Sequence, residues 1–150
     1  MGASEKNLLI RRLMVEDADD MSRIEAAITK SSAKTDFRRI IEEQILKEEE
    51  TASFAAEIDG KVVGYMISYI VYAGFGLDKS AWIATLGVDP KYMGQGIGKA
   101  LGRAIFSFYE EKQIKNIYTS VRWDSVDLLS FFKTLGFDRS NFINLRKTFE

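Results

Sequence analysis
The 150-residue chain contains no cysteine, no histidine and a single proline. Without cysteine there is no disulfide framework, no thiolate nucleophile and no cysteine-based metal site. Without histidine the commonest general base and the commonest zinc ligand are both missing, so no metal is expected. Net charge is scarce too: 21 basic against 22 acidic side chains leave −1 at neutral pH. A general nucleic-acid binder shows a basic excess or stripe, so no nucleic-acid partner is expected. No long apolar run opens the chain, which argues against a signal peptide or membrane span and for a cytoplasmic location. What is present is 46% hydrophobic residue content spread among charged residues. At this length that is enough for one domain, residues 1–150, with a real core.

The apolar pattern gives the element order. Residues 1–6 are polar and expected to fray, and residues 8–14, with Leu8, Leu9, Ile10 and Leu13, read as a first strand. Glu16 and Asp17 offer acidic side chains at a helix start, and Met21, Ile24 and Ile28 follow at helical spacing. After a polar loop over 29–35, Phe37, Ile40, Ile41 and Ile45 mark a second helix that ends near Glu48, Glu49 and Glu50. That acidic run reads as a solvated edge. Phe54, Ala56 and Ile58 alternate toward Asp59-Gly60, a two-residue hairpin turn. The returning strand, residues 61–71, is apolar on both faces, with Val63, Tyr65, Ile67 and Tyr69 on one and Val62, Met66 and Ile70 on the other. It is expected to be central in the sheet. Residues 73–80 form a loop before a strand over 82–88. Later come a helix to about Lys112 with Ile97, Ala100, Leu101, Ala104, Ile105 and Phe108 on its apolar stripe, and a strand over 116–121. A last helix, capped by Asp124 or Ser125 and closed by Gly136, precedes two final strands, 137–138 and 142–149.

The chemistry concentrates where the strand over 82–88 ends. Asp89-Pro90 stops further sheet pairing, and Gly94, Gly96 and Gly98 lead into the helix that follows. Glycines tolerate positive φ, so such a turn can aim several N–H groups at one point. The helix adds its unpaired first-turn N–H groups and the positive end of its dipole. Together these suit a phosphate or pyrophosphate, although the same glycines also serve a merely tight connection. A Walker A loop is ruled out because Gly98-Lys99 is followed by Ala100 and not by a magnesium-binding Ser or Thr. A dinucleotide-binding motif fits poorly, since residues 89–93 separate the glycines from their strand.

On Met93-Gly94-Gln95-Gly96-Ile97-Gly98, and on Ser125, Leu128, Phe131, Phe132, Gly136 and Phe137 further on, the chain resembles the GNAT family of N-acetyltransferases. The first segment matches the family's Arg/Gln-x-x-Gly-x-Gly/Ala signature. The second matches its Asn-x-x-Ala-x-x-Phe-Tyr-x-x-x-Gly-Phe pattern, and the element order β-α-α-β-β-β-α-β-α-β-β fits throughout. The resemblance implies an α/β (α+β) fold: a mixed, mostly antiparallel sheet of about seven strands with about four helices, splayed between strands 4 and 5. It implies acetyl-CoA as acyl-donor co-substrate. Leu86, Gly87 and Val88 would run beside the pantetheine. Met93, Gly94, Gln95, Gly96, Ile97, Gly98 and Lys99 would hold the pyrophosphate, with Lys91 as a further cation, and Ser125, Leu128, Phe131 and Phe132 would line the far side. A backbone N–H of Leu86 or Val88 would face the thioester oxygen. The implied reaction is direct attack of a primary amine, from a small molecule or a protein lysine or N-terminus, in a ternary complex.

The departures are chemical. Met93 replaces Arg or Gln, Ser125 replaces Asn, and Phe132 replaces the tyrosine that often protonates the leaving thiolate. No carboxylate occupies 82–86, and Ser120 stands where ribosomal-protein acetyltransferases often carry Glu. Tyr118, Ser120 and Asp124, with Tyr72, are the residues left to move protons, and Asp124 reads as a helix cap. The alternative to an enzyme is a catalytically weak acyl-CoA-binding or regulatory domain. The acceptor would meet the loops at 29–35 and 73–80 and the final hairpin. The exposed edge of that hairpin offers a homodimer contact.

Overall fold
The computed structural model describes residues 7–32, 34–72 and 78–150. They fall into two compact units, one ending at Thr119 and one from Ser120 to Glu150. The first holds a five-stranded sheet in the order β1-β2-β3-β4-β5, with β1 Leu8–Arg12, β2 Phe54–Ile58, β3 Lys61–Val71, β4 Ser80–Val88 and β5 Ile117–Thr119. The first three pairings are antiparallel and the last is parallel. Its helices are α1 Ala18–Thr29, α2 Phe37–Ile45 and α3 Ile97–Glu111, with 3₁₀ turns at Val15–Asp17 and Pro90–Tyr92.

Local chemistry sets several boundaries. β1 stops at Arg12, short of the expected residue 14, because the Met14 N–H turns to Asp17 Oδ2 at 2.8 Å. Asp17 is buried and held by both terminal nitrogens of Arg11 at 2.9 Å; it fixes the chain's exit from the sheet and, with Glu16, stands at the helix start as expected, in the 3₁₀ turn whose last residue is the N-cap position of α1. The hairpin at Asp59-Gly60 forms as expected, with φ of 51° and 79°, the two positive values that a type I′ turn demands. β3 is central, but its expected faces are corrected. A bulge places Ala56 opposite Gly64 and Glu57 opposite Val62, leaving Val63 as the extra residue. One inserted residue flips the alternation, so Val62 joins Tyr65 and Ile67 in the same core cluster.

That cluster also takes Leu13, Met21, Ile24, Phe37, Ile41 and Ala55, and so seats α1 and α2 on one face of the sheet. α3 covers the other. A Cβ built on Gly64 would lie 3.0 Å from Ile97 Cγ2 and 3.4 Å from Leu101 Cδ1, and Ile97, Leu101, Ile105 and Tyr109 are fully buried along one stripe.

The second unit contains α4, Val126–Thr134. Gly136, at φ 93°, closes it with a Schellman motif: Phe137 N–H to Phe132 O at 3.0 Å and Gly136 N–H to Lys133 O at 3.0 Å. This corrects the expected strand at 137–138, since the motif folds Phe137 back onto Phe132 with ring centroids 5.2 Å apart. Residues 142–149 form no ladder either. The sheet therefore has five strands among the described residues, and the expected seven are not matched.

Candidate functional site
The site is organised by β4, which changes partners partway along. β5 pairs only with Ala81, Trp82 and Ile83, and Thr119 Oγ1 seals the junction by donating to Ile83 O at 2.9 Å. On the other side Ile67 faces Thr85 while Ser68 faces Ile83, so Ala84 is an unpaired bulge residue. Beyond it, residues 85–88 have a strand partner only in β3 among the described residues.

The bulge decides where the N–H groups point. Ala81 N–H donates toward the β5 side, to Asn116 O at 3.1 Å, whereas Asp89 N–H donates toward β3, to Val63 O at 2.8 Å. Counting back from Asp89 by strand alternation, Gly87 and Thr85 turn their N–H groups to β3. Those of Val88 and Leu86 face the open edge. Gly87 has a packing reason of its own: a Cβ there would lie 2.7 Å from Tyr65 Cζ and from its hydroxyl. Burial pushes the Tyr65 phenol up to about 12, so it stays protonated at neutral pH.

The turn into α3 is anchored by Asp89. Its Oδ1 accepts from Lys91 N at 3.0 Å, and its Oδ2 accepts from Arg23 Nη1 of α1 at 3.0 Å. Arg23 Nη2 also donates to Val62 O at 3.1 Å. Burial alone would raise the Asp89 carboxyl; the Lys91 N–H and Arg23 outweigh it and hold it below the usual carboxylate range. In the sequence Asp89 shows only as part of the Asp-Pro stop, and Arg23 gives no signal because its partner lies 66 residues away. Gly94 and Gly96 follow at φ 79° and 78°, with nothing within 4 Å of a Cβ built on either. The loop thus lies open above its backbone. α3 starts with Ala100 N–H bonded to Gly96 O at 3.0 Å, and its first-turn N–H groups, from Ile97, Gly98 and Lys99, have no intrahelical acceptor. The Ile97 side chain is buried, so this residue can offer a ligand only its backbone. Met93, Lys91, Gln95 and Lys99 are exposed.

Of the remaining candidates, Tyr118 lies on β5 and stacks on Trp82, with centroids 5.2 Å apart and planes at 28°. Tyr72 donates to Glu50 Oε2 at 2.8 Å. In the second unit, Ser120 accepts from Asn144 Nδ2 at 2.8 Å. Asp124 is gripped by Arg122 Nε and Nη2, both at 3.0 Å. Arg122 holds the Asp124 carboxyl below the ordinary range, which makes it a weaker base. Of the two residues expected to cap α4, Ser125 takes the N-cap position, without a side-chain capping bond, and Asp124 does not. Phe132 is buried between Phe131 and Phe137, and Leu128 is partly exposed. The first unit therefore brings together Leu86 to Val88 and Met93 to Lys99, while Ser120, Asp124 and the α4 residues belong to the second. Of the loops expected to meet an acceptor, residues 33 and 73–77 lie outside the described residues.

A mixed sheet whose fourth strand pairs with β5 over only three residues and runs into a glycine-rich helix start defines an α/β protein. The model described as the acetyltransferase (GNAT) family matches residues 17–137, and the chain belongs to that family. An N-alpha-acetyltransferase of Sulfurisphaera tokodaii is 35% identical over 61% of this chain and 59% of its own length. A putative [ribosomal protein bS18]-alanine N-acetyltransferase of Bacillus subtilis is 26% identical over 85% of this chain and 78% of its own. The chain thus spans under two thirds of the first of these relatives. Among solved structures, an aminoglycoside acetyltransferase, meta-AAC0020, from an uncultured soil sample superposes with a TM-score of 0.78 at 23% identity, covering 98% of this chain and 99% of its own. Aminoglycoside N-acetyltransferase AAC(6')-Iy in complex with CoA gives 0.76 at 18% identity, covering 94% of each.

Proposed function
We propose that residues 1–150 act as one GNAT domain that transfers an acetyl group from acetyl-CoA to a primary amine of a small molecule or a protein. The observation that carries this reading is the pairing of an open β4 edge, past the Ala84 bulge, with a glycine turn at the start of α3. The Leu86 and Val88 N–H groups suit the amides of a pantetheine arm laid along the edge like an added strand. The turn and first helical N–H groups suit the pyrophosphate, with Lys91 and Lys99 as exposed cations near it. The acetyl carbonyl would accept from one of the edge N–H groups, which stabilises the negative charge developing on its oxygen. The neutral amine attacks the carbonyl carbon, the new C–N bond forms, the C–S bond breaks, CoA leaves as thiolate and the amine proton passes to water.

A second reading, an acyl-CoA-binding domain with weak turnover, is favoured by one observation. Phe132, at the family's tyrosine position, is a buried ring without a hydroxyl. Titration calorimetry with acetyl-CoA, followed by thiol release with a panel of peptide α-amines, lysine peptides and aminoglycosides, separates the two. Amine-dependent thiol release is expected, with binding lost in Gly96→Asp, where a carboxylate would meet the phosphates. Tight binding without turnover on any amine would select the second reading. Absence of acetyl-CoA binding would sink both.

A further inference from the structure
Tyr65 is 2% exposed and packs its ring edge-on against Phe37, with centroids 5.2 Å apart. The ring accounts for its place in the core, where phenylalanine would serve as well; the hydroxyl is the unexplained part. A buried tyrosine hydroxyl ordinarily finds a partner, as that of Tyr109 does with Ala52 N–H and Ser68 Oγ. That of Tyr65 has none among the described residues. The one sealed side-chain nitrogen or oxygen left unpaired among them is Trp82 Nε1, so the Tyr65 hydroxyl is unpartnered yet not closed off.

Its position depends on Gly87. A Cβ there would lie 2.7 Å from the hydroxyl, so the missing side chain lets the ring cross from β3 and set its oxygen over β4. Leu86 and Val88, whose N–H groups face the open edge, flank that point. Tyr65 belongs to the face covered by α1 and α2, whereas the glycine turn leads into α3 on the other. A second charge stands nearby. Glu25 of α1 follows Ile24, which shares the core cluster with Tyr65. Its Oε1 accepts from Lys34 N–H at 3.0 Å and Thr35 N–H at 3.2 Å, and its Oε2 from Thr35 Oγ1 at 2.6 Å. Burial alone would raise the Glu25 carboxyl; these bonds outweigh it and hold it below the usual range, so it is ionised at neutral pH. After burial, the Glu25 charge is the second cause that raises the Tyr65 phenol. A negative field that opposes a phenolate favours a cation at the same point.

Resting on the acetyltransferase reading above, we propose that the Tyr65 hydroxyl holds the acceptor amine over β4, in the field of the Glu25 carboxylate. The phenol oxygen accepts a hydrogen bond from an amine N–H, which leaves the nitrogen lone pair free for the acetyl carbon. As the C–N bond forms, positive charge develops on nitrogen, and the Tyr65 oxygen and the Glu25 charge stabilise it. The C–S bond breaks, the thiolate leaves with the bonding pair, and the surplus amine proton passes to water. Tyr65 keeps its own proton throughout.

Tyr65→Phe and Glu25→Gln test this, with thiol release at saturating acetyl-CoA measured for the peptide α-amines, lysine peptides and aminoglycosides of the same panel. For Tyr65→Phe the expected result is a kcat/KM for the amine lowered about 10- to 100-fold, the range for one hydrogen bond to a charged group. Its acetyl-CoA affinity by calorimetry and its Tm should match the native chain, because the hydroxyl bonds nothing in the protein; a merely structural hydroxyl would lower Tm and spare turnover. Glu25→Gln should raise the amine KM, since an amide has no charge to attract the cation. An amine kcat/KM that either variant leaves at its native value overturns the inference, as does an acetyl-CoA affinity that falls in step with turnover in Tyr65→Phe. In those cases turnover by the native chain still upholds the acetyltransferase reading. A native chain that turns over no amine sinks that reading, and this inference with it.

Discussion
At the scale of single residues, two positions set the geometry of the β4 end. Gly87 lies under the Tyr65 ring, and the nearest ring atoms would stand 2.7 Å from an added methyl. Tyr65 is buried against Phe37, with centroids 5.2 Å apart, so it has little room to yield. Gly87→Ala is therefore expected to destabilise by about 1–3 kcal/mol, the usual cost of overpacking, seen as a lowered Tm. Adding Tyr65→Leu should make the pair of changes less than additive, because the clash goes with the ring. Asp89 is the second. Its folded carboxyl titrates below the usual range, so the stability it contributes is full above the unfolded value of about 3.9 and is lost as pH falls through the folded value. Arg23 is 40% exposed and screened by solvent, so Asp89→Asn should cost only about 0.5–1 kcal/mol at neutral pH. Denaturant melts of the two proteins should converge as the pH is taken well below about 3.9. A difference that persists in acid would show that the charge is not what Asp89 supplies.

At the scale of elements, α3 is joined to the sheet by more than its apolar stripe. Tyr109 is fully buried; its hydroxyl accepts from Ala52 N–H at 3.2 Å and lies 2.6 Å from Ser68 Oγ. Ser68 Oγ also donates to Ala52 O. Ser68 N–H donates to Ser53 Oγ at 3.0 Å, and Gln44 of α2 spans to Ser68 O at 2.8 Å. The helix that carries the glycine turn is thus tied through one hydroxyl to the segment before β2 and, through β3, to α2. Tyr109→Phe removes an acceptor and leaves a buried N–H unpaired, so a loss of about 1–3 kcal/mol is expected in denaturant melts. Because the turn sits at the far end of α3, acetyl-CoA affinity measured below the transition should change little. Nearby, Arg12 lies over the Phe108 ring at 5.1 Å and donates to Thr51 O at 2.8 Å, holding the same segment from the other side.

At the scale of the whole molecule, the two units differ in how much they bury. The first has cores on both faces of its sheet, whereas the second buries Phe132 and little else.

The sequence by itself determined what short-range chemistry controls. The positive-φ hairpin at Asp59-Gly60, the amphipathic stripe of α3 and the helix stop at Gly136 each follow from neighbouring residues, as does the glycine turn after Asp89. The family was legible for the same reason, since its signature is a contiguous turn. Tertiary structure decided what depends on counting residues between strands. The Val63 bulge moved Val62 to the other face, and the Ala84 bulge set which N–H groups reach the open edge. Neither leaves a mark in composition, because a bulge is fixed by the partner strand's register. The same holds for Arg23, which meets Asp89 across 66 residues of chain. Residues 142–149 show the limit most plainly: their strand-like pattern is a local property, but a strand forms only where another backbone offers its edge.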